Sequence, residues 1–318
     1  MLDSKNIATP LHSPQTRRVL QALQACRTPG WMFAGHFLDM VFTQNDQAAT
    51  VVTLEVGPHC RAADGRISLA TLSILADVAM AAAVRSEFGP SARVATLTIR
   101  LTFASLPAQG VLRAVAKLEQ IPRVGAMQSA MTSVEIYAED GSLCCSSAAS
   151  FAVLENRQGT ADHPMPRTST LSAASLLPTH ELHEAEQAVW ERALQAEQDA
   201  GQGSFIERFW GILPVAGSAP GQASCRVESG MHIGNRSGHV QGGILLGVAA
   251  ATCTAALPEG WSLLDLSAQY LDAGAGPYID ASAATLRSGR NLAVVECRVV
   301  DSASKPIFSA QATCLRGR

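Results

Sequence analysis

Two stretches of this 318-residue sequence hold side chains and backbone able to do chemistry together. The first is Asp77, the only acidic residue in the apolar run LATLSILADVAMAAAV at 69–84. A carboxyl group in such surroundings is costly to bury unless it is paired or used. Desolvation by Ala76, Val78 and Ala79 raises its pKa toward the range where it serves as a general base. The second stretch is Asn235-Arg-Ser-Gly-His-Val-Gln241-Gly242-Gly243, followed at once by the apolar run ILLGVAAATCTAAL. A glycine pair opening a helix presents backbone N–H groups that lack internal partners, and the helix dipole adds to their pull on developing negative charge. Gly242 also allows close approach of a ligand to the backbone. Gln241 can donate its amide to the same oxygen or hold a water, but it exchanges no proton near neutral pH. Proton transfer therefore falls to Asp77, as a base on water or as a carboxylate nucleophile, and the base role is preferred.

The elements that must position these residues form an internal repeat. ATVVTLEV runs into Pro58-His59, a loop and the helix at 69–84; GQASCRVESG runs into Met231-His232, a loop and GGILLGVAAATCTAAL. Setting His59 on His232 gives an offset of 173 residues, which also lays Ser68 on Gln241 and Asp77 on Ala250. Each helix precedes a segment alternating in period two, VATLTIRLTF at 94–103 and LLDLSAQYL at 263–271, as half-buried strands do. Further strand patterns follow in both copies, with hairpin signals at Asp140-Gly141 and Lys305-Pro306. Each copy thus predicts an α+β unit of one helix and an antiparallel sheet.

The expected organisation is a tail and packing helix at 1–30, a first unit at 31–154, a linker at 155–179 and a second unit at 180–318. The linker is rich in Pro, Ser, Thr and Ala, without periodicity. A charged helix at 180–200, with Leu182, Val189, Trp190 and Ala193 as its apolar stripe, leads the second unit. Its counterpart spans Pro14 to Cys26.

Composition narrows the function classes. With 47% hydrophobic and 16% charged residues the chain has ample material for a core. A net charge of -3 gives no footprint for nucleic acid or an anionic membrane. The N-terminus lacks the apolar core of a signal peptide, and no long uncharged apolar run occurs, so a cytoplasmic location is expected. The eight cysteines are scattered without a CxxC pair and read as small buried hydrophobes, so neither a metal nor another cofactor is expected. His59, His232 and His239 read as structural loop histidines.

The segment from Asn235 to Gly243 resembles the loop-to-helix motif of the phenylacetate-type (PaaI-like) branch of hotdog thioesterases, in the 4-hydroxybenzoyl-CoA thioesterase superfamily. There an Asn stands six residues before a His-Gly-Gly that opens the central helix, and an acidic residue follows nine positions after the His. Here Gln241 replaces that His, and nine positions on stands Ala250. The first copy is the converse: Asp77 is present, but the motif positions hold Ala62, Ser68, Leu69 and Ala70. Nine helical residues span roughly 13 Å along the axis, beyond the reach of an aspartate, so one copy cannot complete its own site.

The resemblance implies a double hotdog in which the helix start of one copy faces the acidic residue of the other. Asp77 would then meet Asn235, Gln241 and Gly242 in one live site, opposite a dead one. It also implies that Thr96 helps orient water near the carboxylate, with Asn235 beside the same water. Gly243 and Arg290 are the implied substrate contacts; Arg290 lies in a Gly-Arg turn frequent in that family, where a solvated turn arginine is the alternative. The implied function is hydrolysis of acyl-CoA to free acid and CoA by a homo-oligomer of fused pairs. The alternatives are a non-catalytic acyl-CoA sensor, favoured by the missing His, and a dehydratase, against which Gln241 counts. Gly35-His36-Phe37 is similar to the His-Phe pair of hotdog dehydratases but lacks the Pro-Gly that follows there.

Overall fold

The computed structural model describes residues 12–28, 30–124, 127–154, 162, 165–199 and 201–317. The first copy comprises helices α1 (Pro14–Cys26) and α2 (Phe33–Leu38), strands β1 (Val41–Asn45) and β2 (Thr50–Val56), the central helix α3 (Leu69–Phe88), and strands β3 (Arg93–Phe103), β4 (Gly110–Gln120), β5 (Arg123–Val124), β6 (Met127–Tyr137) and β7 (Leu143–Leu154). A short helix α4 (Thr170–Ala173) and a 3-10 turn (Thr179–Glu181) lead to the second copy. That copy comprises α5 (Glu184–Gln198), α6 (Phe205–Trp210), β8 (Val215–Ala216), β9 (Gln222–Glu228), the central helix α7 (Gly242–Ala255), β10 (Trp261–Tyr270), β11 (Tyr278–Ser288), β12 (Leu292–Asp301) and β13 (Pro306–Arg316).

The α+β expectation holds, with two central helices each wrapped by an antiparallel sheet. The two sheets are one: the strand order is β1-β2-β4-β6-β7-β3-β10-β13-β12-β11-β9-β8, with β5 on β6. The copies join where β3 meets β10, with Leu101 opposite Leu266 and Thr98 opposite Gln269. Arg100 and Asp265 form an ion pair of 2.9 Å across this seam.

Both central helices are apolar on nearly every side, as an enclosed helix must be. By length and composition α3 is also apolar enough to cross a membrane, yet 78% of that window is buried within the protein. Ser68 caps α3 by accepting the Thr71 N–H, and Gln241 caps α7 by accepting the Ile244 N–H, the same three-residue reach. The helices run antiparallel and nearly touch. A Cβ on Gly243 would lie 2.6 Å from the Ile74 nitrogen, and one on Gly247 2.5 Å from Ala70 Cα. Close backbone approach therefore requires glycine at both positions.

Besides α4, β1, β5 and β8, the two helices α2 and α6 were not anticipated. The two helices extend the repeat upstream, since Phe33 and Phe37 correspond to Phe205 and Phe209. These rings pack together across the copies, with Phe37 and Phe209 centroids 5.3 Å apart and Phe33 and Phe209 6.0 Å apart. The expected linker is partly built in: α4 lies within it, Leu171 and Leu177 are buried, and the Thr170 N–H donates to Asp39 at 2.9 Å. Residues 155–161, 163 and 164 of that segment lie outside the described residues. The central helix of the first copy ends at Phe88, four residues beyond the apolar run, because Gly89 at φ 95 stops it. All eight cysteines are free, and seven are buried.

Candidate active site

Asp77 lies on α3 with 6% exposure. Its Oδ1 accepts a hydrogen bond from Thr96 Oγ1 at 2.9 Å, and its Oδ2 accepts one from Gln241 Nε2 at 2.9 Å. The Gly243 N–H faces the same carboxylate and favours its charged form. Burial pushes the Asp77 pKa up to about 6, against the downward pull of Thr96, the Arg85 charge, Gln241 and Gly243. The group is therefore ionised at neutral pH but retains proton affinity, which is what a general base needs.

Each partner is delivered by a local structural cause. Thr96 precedes a bulge in β3, between Thr96 and Thr98 opposite β7, and bulges re-aim side chains. Gln241 bridges two tasks: while Nε2 donates to Asp77, Oε1 accepts the Ile244 N–H at 3.0 Å. Both ends of its amide are thus engaged by protein, and the side chain ties the start of α7 to α3. Gly242 follows, and a Cβ there would stand 2.9 Å from Asp77 Oδ2 and 3.2 Å from the Tyr270 hydroxyl. Its missing side chain is what leaves room between these two groups.

The other expected site residues fall elsewhere. Asn235 lines the same cavity, but its Oδ1 accepts the N–H groups of Ser237 at 2.8 Å and His239 at 3.2 Å. It shapes the loop before α7, and among the described residues its side chain makes no bond to Asp77. Gly243 is pressed against the backbone of Ile74 and is not part of the cavity wall. Arg290 stands exposed on the β11–β12 turn and is not part of the cavity wall.

That cavity has a volume of about 810 Å³, and Asp77, Thr96, Gln241 and Gly242 all line it. Its lining includes the apolar Trp31, Phe42, Phe151 and Met165 and the polar Arg85, Arg236 and His239. Two wall residues escaped the sequence reading. Tyr270 at the end of β10 donates its hydroxyl to the Gly242 carbonyl at 2.8 Å. Arg85 donates Nε to the Ala92 carbonyl at 3.2 Å, and burial lowers its pKa to about 10. The helical spacing of Asp77 and Arg85, eight residues, was a visible signal for the latter.

Two of the three loop histidines pack in the interior, while His239 lies on the cavity wall and bonds the Gly274 carbonyl through Nδ1 at 2.9 Å. His59 and His232 are buried with pKa values lowered to about 3 by desolvation, and they pack on Phe37 and Phe209. His36 holds Thr170 through Nδ1 at 2.9 Å.

The repeat supplies a second, symmetry-related position, which lacks the carboxyl, the amide and the aromatic hydroxyl of the first. Matching the helices puts Ala250 at the place of Asp77, and Ser68 and Leu69 at those of Gln241 and Gly242. Matching the β3 bulge to the bulge between Leu263 and Asp265 in β10 puts Leu263 at the place of Thr96 and Phe103 at that of Tyr270.

Comparisons with known proteins agree with this architecture. Residues 233–315 match the family described as the acyl-CoA thioesterase N-terminal domain, here on the second copy. No curated protein matches the chain in sequence. Among solved structures, a protein assigned as a thioesterase from Novosphingobium aromaticivorans is similar at 14% identity and a TM-score of 0.58, covering 88% of this chain and 99% of that one. One assigned as an oleoyl thioesterase from Lactobacillus plantarum shows 10% identity and a TM-score of 0.54, covering 85% and 97%. A protein of unknown function with a hot dog fold from Alicyclobacillus acidocaldarius shows 9% identity and a TM-score of 0.50, covering 88% and 96%. In fold, this chain is a tandem double hotdog.

Proposed function

We propose that this protein hydrolyses acyl thioesters, with acyl-CoA as substrate, at one composite site per chain. One observation carries the reading: Asp77 of the first copy is hydrogen-bonded by Gln241 at the start of α7 in the second, beside Gly242 and on the wall of a large cavity. The matched family, described by its acyl-CoA thioesterase activity, supports thioesters as the bond attacked.

The geometry assigns each group a task. A thioester carbonyl drawn to the start of α7 receives the Gly242 N–H, which has no intrahelical partner. Asp77, held by Thr96 and Gln241, takes a proton from water as the water oxygen bonds to the carbonyl carbon. The tetrahedral intermediate then expels the thiolate, which takes up the proton held by Asp77, leaving a free acid and CoA and restoring the base. Gln241 cannot shuttle protons, and with Asp77 as the base none is required of it. A carboxylate anchored by donors on both oxygens suits the base role better than a nucleophile's, because attack at carbon would require it to leave those partners.

A panel of aromatic and aliphatic acyl-CoAs with detection of free thiol tests this directly, and phenylacetyl-CoA is the arm that tests a phenylacetate-type specificity. The parent should cleave at least one member and the Asp77→Asn variant should lose that activity by roughly 10²–10⁴-fold. A thioester that raises the melting temperature of the parent and is never consumed would instead select the acyl-CoA sensor.

A further inference from the structure

We infer that Tyr270 is a positioning residue of this site, acting on Asp77 through the Gly242–Gly243 peptide. The inference rests on the hydrolytic reading above but can be tested apart from it. The Tyr270 hydroxyl donates to the Gly242 carbonyl oxygen at 2.8 Å. That carbonyl and the Gly243 N–H belong to one peptide unit, and in a trans peptide the two point in opposite directions. The start of α7 lies against the carboxylate, since a Cβ on Gly242 would stand 2.9 Å from Asp77 Oδ2 and 3.2 Å from the Tyr270 hydroxyl, and the Gly243 N–H is among the influences that favour the charged form of Asp77. The Tyr270 O–H thus holds the C=O of the peptide whose N–H lends the carboxylate its favourable field, so the peptide lies between a donor and an anion. A hydrogen bond accepted at the carbonyl polarises the amide and strengthens what its N–H donates, and it also fixes the rotation of the peptide plane.

The same clamp sets the helix start for catalysis. Because the Gly243 N–H is turned to Asp77, the Gly242 N–H remains as the donor for a carbonyl oxygen. Fixing the Gly242–Gly243 plane thus keeps the two donors of the first turn on separate tasks. Tyr270 stays protonated throughout, since burial and the nearby Asp77 charge hold its pKa well above the usual phenol value.

The repeat gives an independent reason to assign the hydroxyl a task. The counterpart of Tyr270 is Phe103, at the matching end of β3. The two residues differ by one hydroxyl group. A ring serves at both positions; the hydroxyl occurs only where Asp77, Thr96, Gln241 and Gly242 also occur. At the vacated position the donor to the peptide has gone together with the carboxylate that the peptide would serve.

Tyr270→Phe is the informative variant, because Phe103 shows that this place in the fold accepts a phenylalanine. Two readouts separate the inference from the hydrolytic reading. The first needs no turnover: a carboxyl-carbon NMR titration, with the Asp77 signal identified by its loss in Asp77→Asn. In Tyr270→Phe the Asp77 midpoint should rise by a few tenths of a pH unit, about the size expected from loss of cooperative strengthening of one bond. The second is kinetic, on any acyl-CoA the parent cleaves: kcat should fall severalfold with KM nearly unchanged, and the acid limb of the profile should rise with the NMR midpoint. Phe103→Tyr should alter neither. An Asp77 midpoint unmoved in Tyr270→Phe overturns the inference whether or not the protein is a hydrolase. A moved midpoint in a parent that cleaves no thioester upholds the clamp and removes the hydrolytic reading.

Discussion

Asp77 and Gln241, 164 residues apart in the chain, are joined by a 2.9 Å hydrogen bond between two copies of the same unit. The bond gives the first copy a fixed carboxylate and the second a fixed helix start. Neither copy could supply both, since the matching positions are Ala250 and Ser68. Replacing Gln241 by Glu keeps an oxygen for the Ile244 N–H but sets a second carboxyl against Asp77. Two such groups cannot both ionise easily. The acid limb of activity should therefore rise from near pH 6 by one unit or more, and a pH–rate profile of Gln241→Glu reads the shift.

Arg85 offers the converse test without touching the hydrogen bonds to Asp77. Its charge is one of the influences holding the Asp77 pKa down. Arg85→Met should raise the acid limb of kcat/KM while leaving the plateau at high pH within a few-fold of the parent. A limb that stays near pH 6 in this variant would show that Arg85 lends the carboxylate no charge stabilisation.

The raised Asp77 pKa also implies a cost in stability. Folded Asp77 titrates at about 6, while an unfolded aspartate titrates near 3.9. Between these values the folded protein holds a proton that the unfolded chain has released, so stability falls as pH rises through this window. The loss amounts to about 3 kcal/mol by pH 7, at 1.36 kcal/mol per unit. An asparagine at 77 escapes it: its oxygen can accept from Gln241 while its amide donates to Thr96. Asp77→Asn should be inactive yet gain stability over the parent as pH rises from 4 to 7. Urea unfolding at several pH values measures that divergence, and parallel curves would contradict it.

The adjacent glycines separate packing from chemistry. A Cβ at Gly243 runs into the Ile74 backbone, whereas the atoms nearest to one at Gly242 are Asp77 Oδ2 and the Tyr270 side chain. Backbone cannot move aside without parting the central helices. Gly243→Ala should therefore destabilise the fold by about 1–3 kcal/mol or more, with activity lost through unfolding. Gly242→Ala should melt near the parent temperature but lose most of its activity. Melting curves beside the thiol assay distinguish the two variants.

These contrasts mark how far the sequence could be read. Asp77 stood out because a single carboxyl in an apolar helix has few structural excuses, and Gln241 because it stands directly before a glycine pair that opens a helix. The period-two strands were visible because one face of each is buried. Tyr270 was not visible: its task depends on which strand end meets which helix start across the copies, and no local pattern encodes that. The packing task of Gly243 was not visible, because an approach as close as that of α3 and α7 exists only in three dimensions. The helices α2 and α6 were missed because six residues rich in aromatics show no helical period. Asn235 looked like a site residue by its place in a motif, and its side chain instead holds the turn that delivers Gln241.

The loss of polar groups at the second position bears on stoichiometry. Ala250, Leu263, Ser68, Leu69 and Phe103 stand where a base, a hydroxyl, an amide donor, a glycine and a second hydroxyl stand in the first. Restoring a carboxylate alone would leave it buried beside Leu263 without counterparts of the Thr96 hydroxyl and the Gln241 amide, and desolvation would keep it protonated. Ala250→Asp should therefore add no activity, lower stability near neutral pH, and leave binding at one acyl-CoA per chain. Calorimetric titration of the Asp77→Asn variant with a substrate identified in the panel counts the sites without turnover. Two equal sites per chain would show that the second position still binds, and that the asymmetry of the copies concerns chemistry alone.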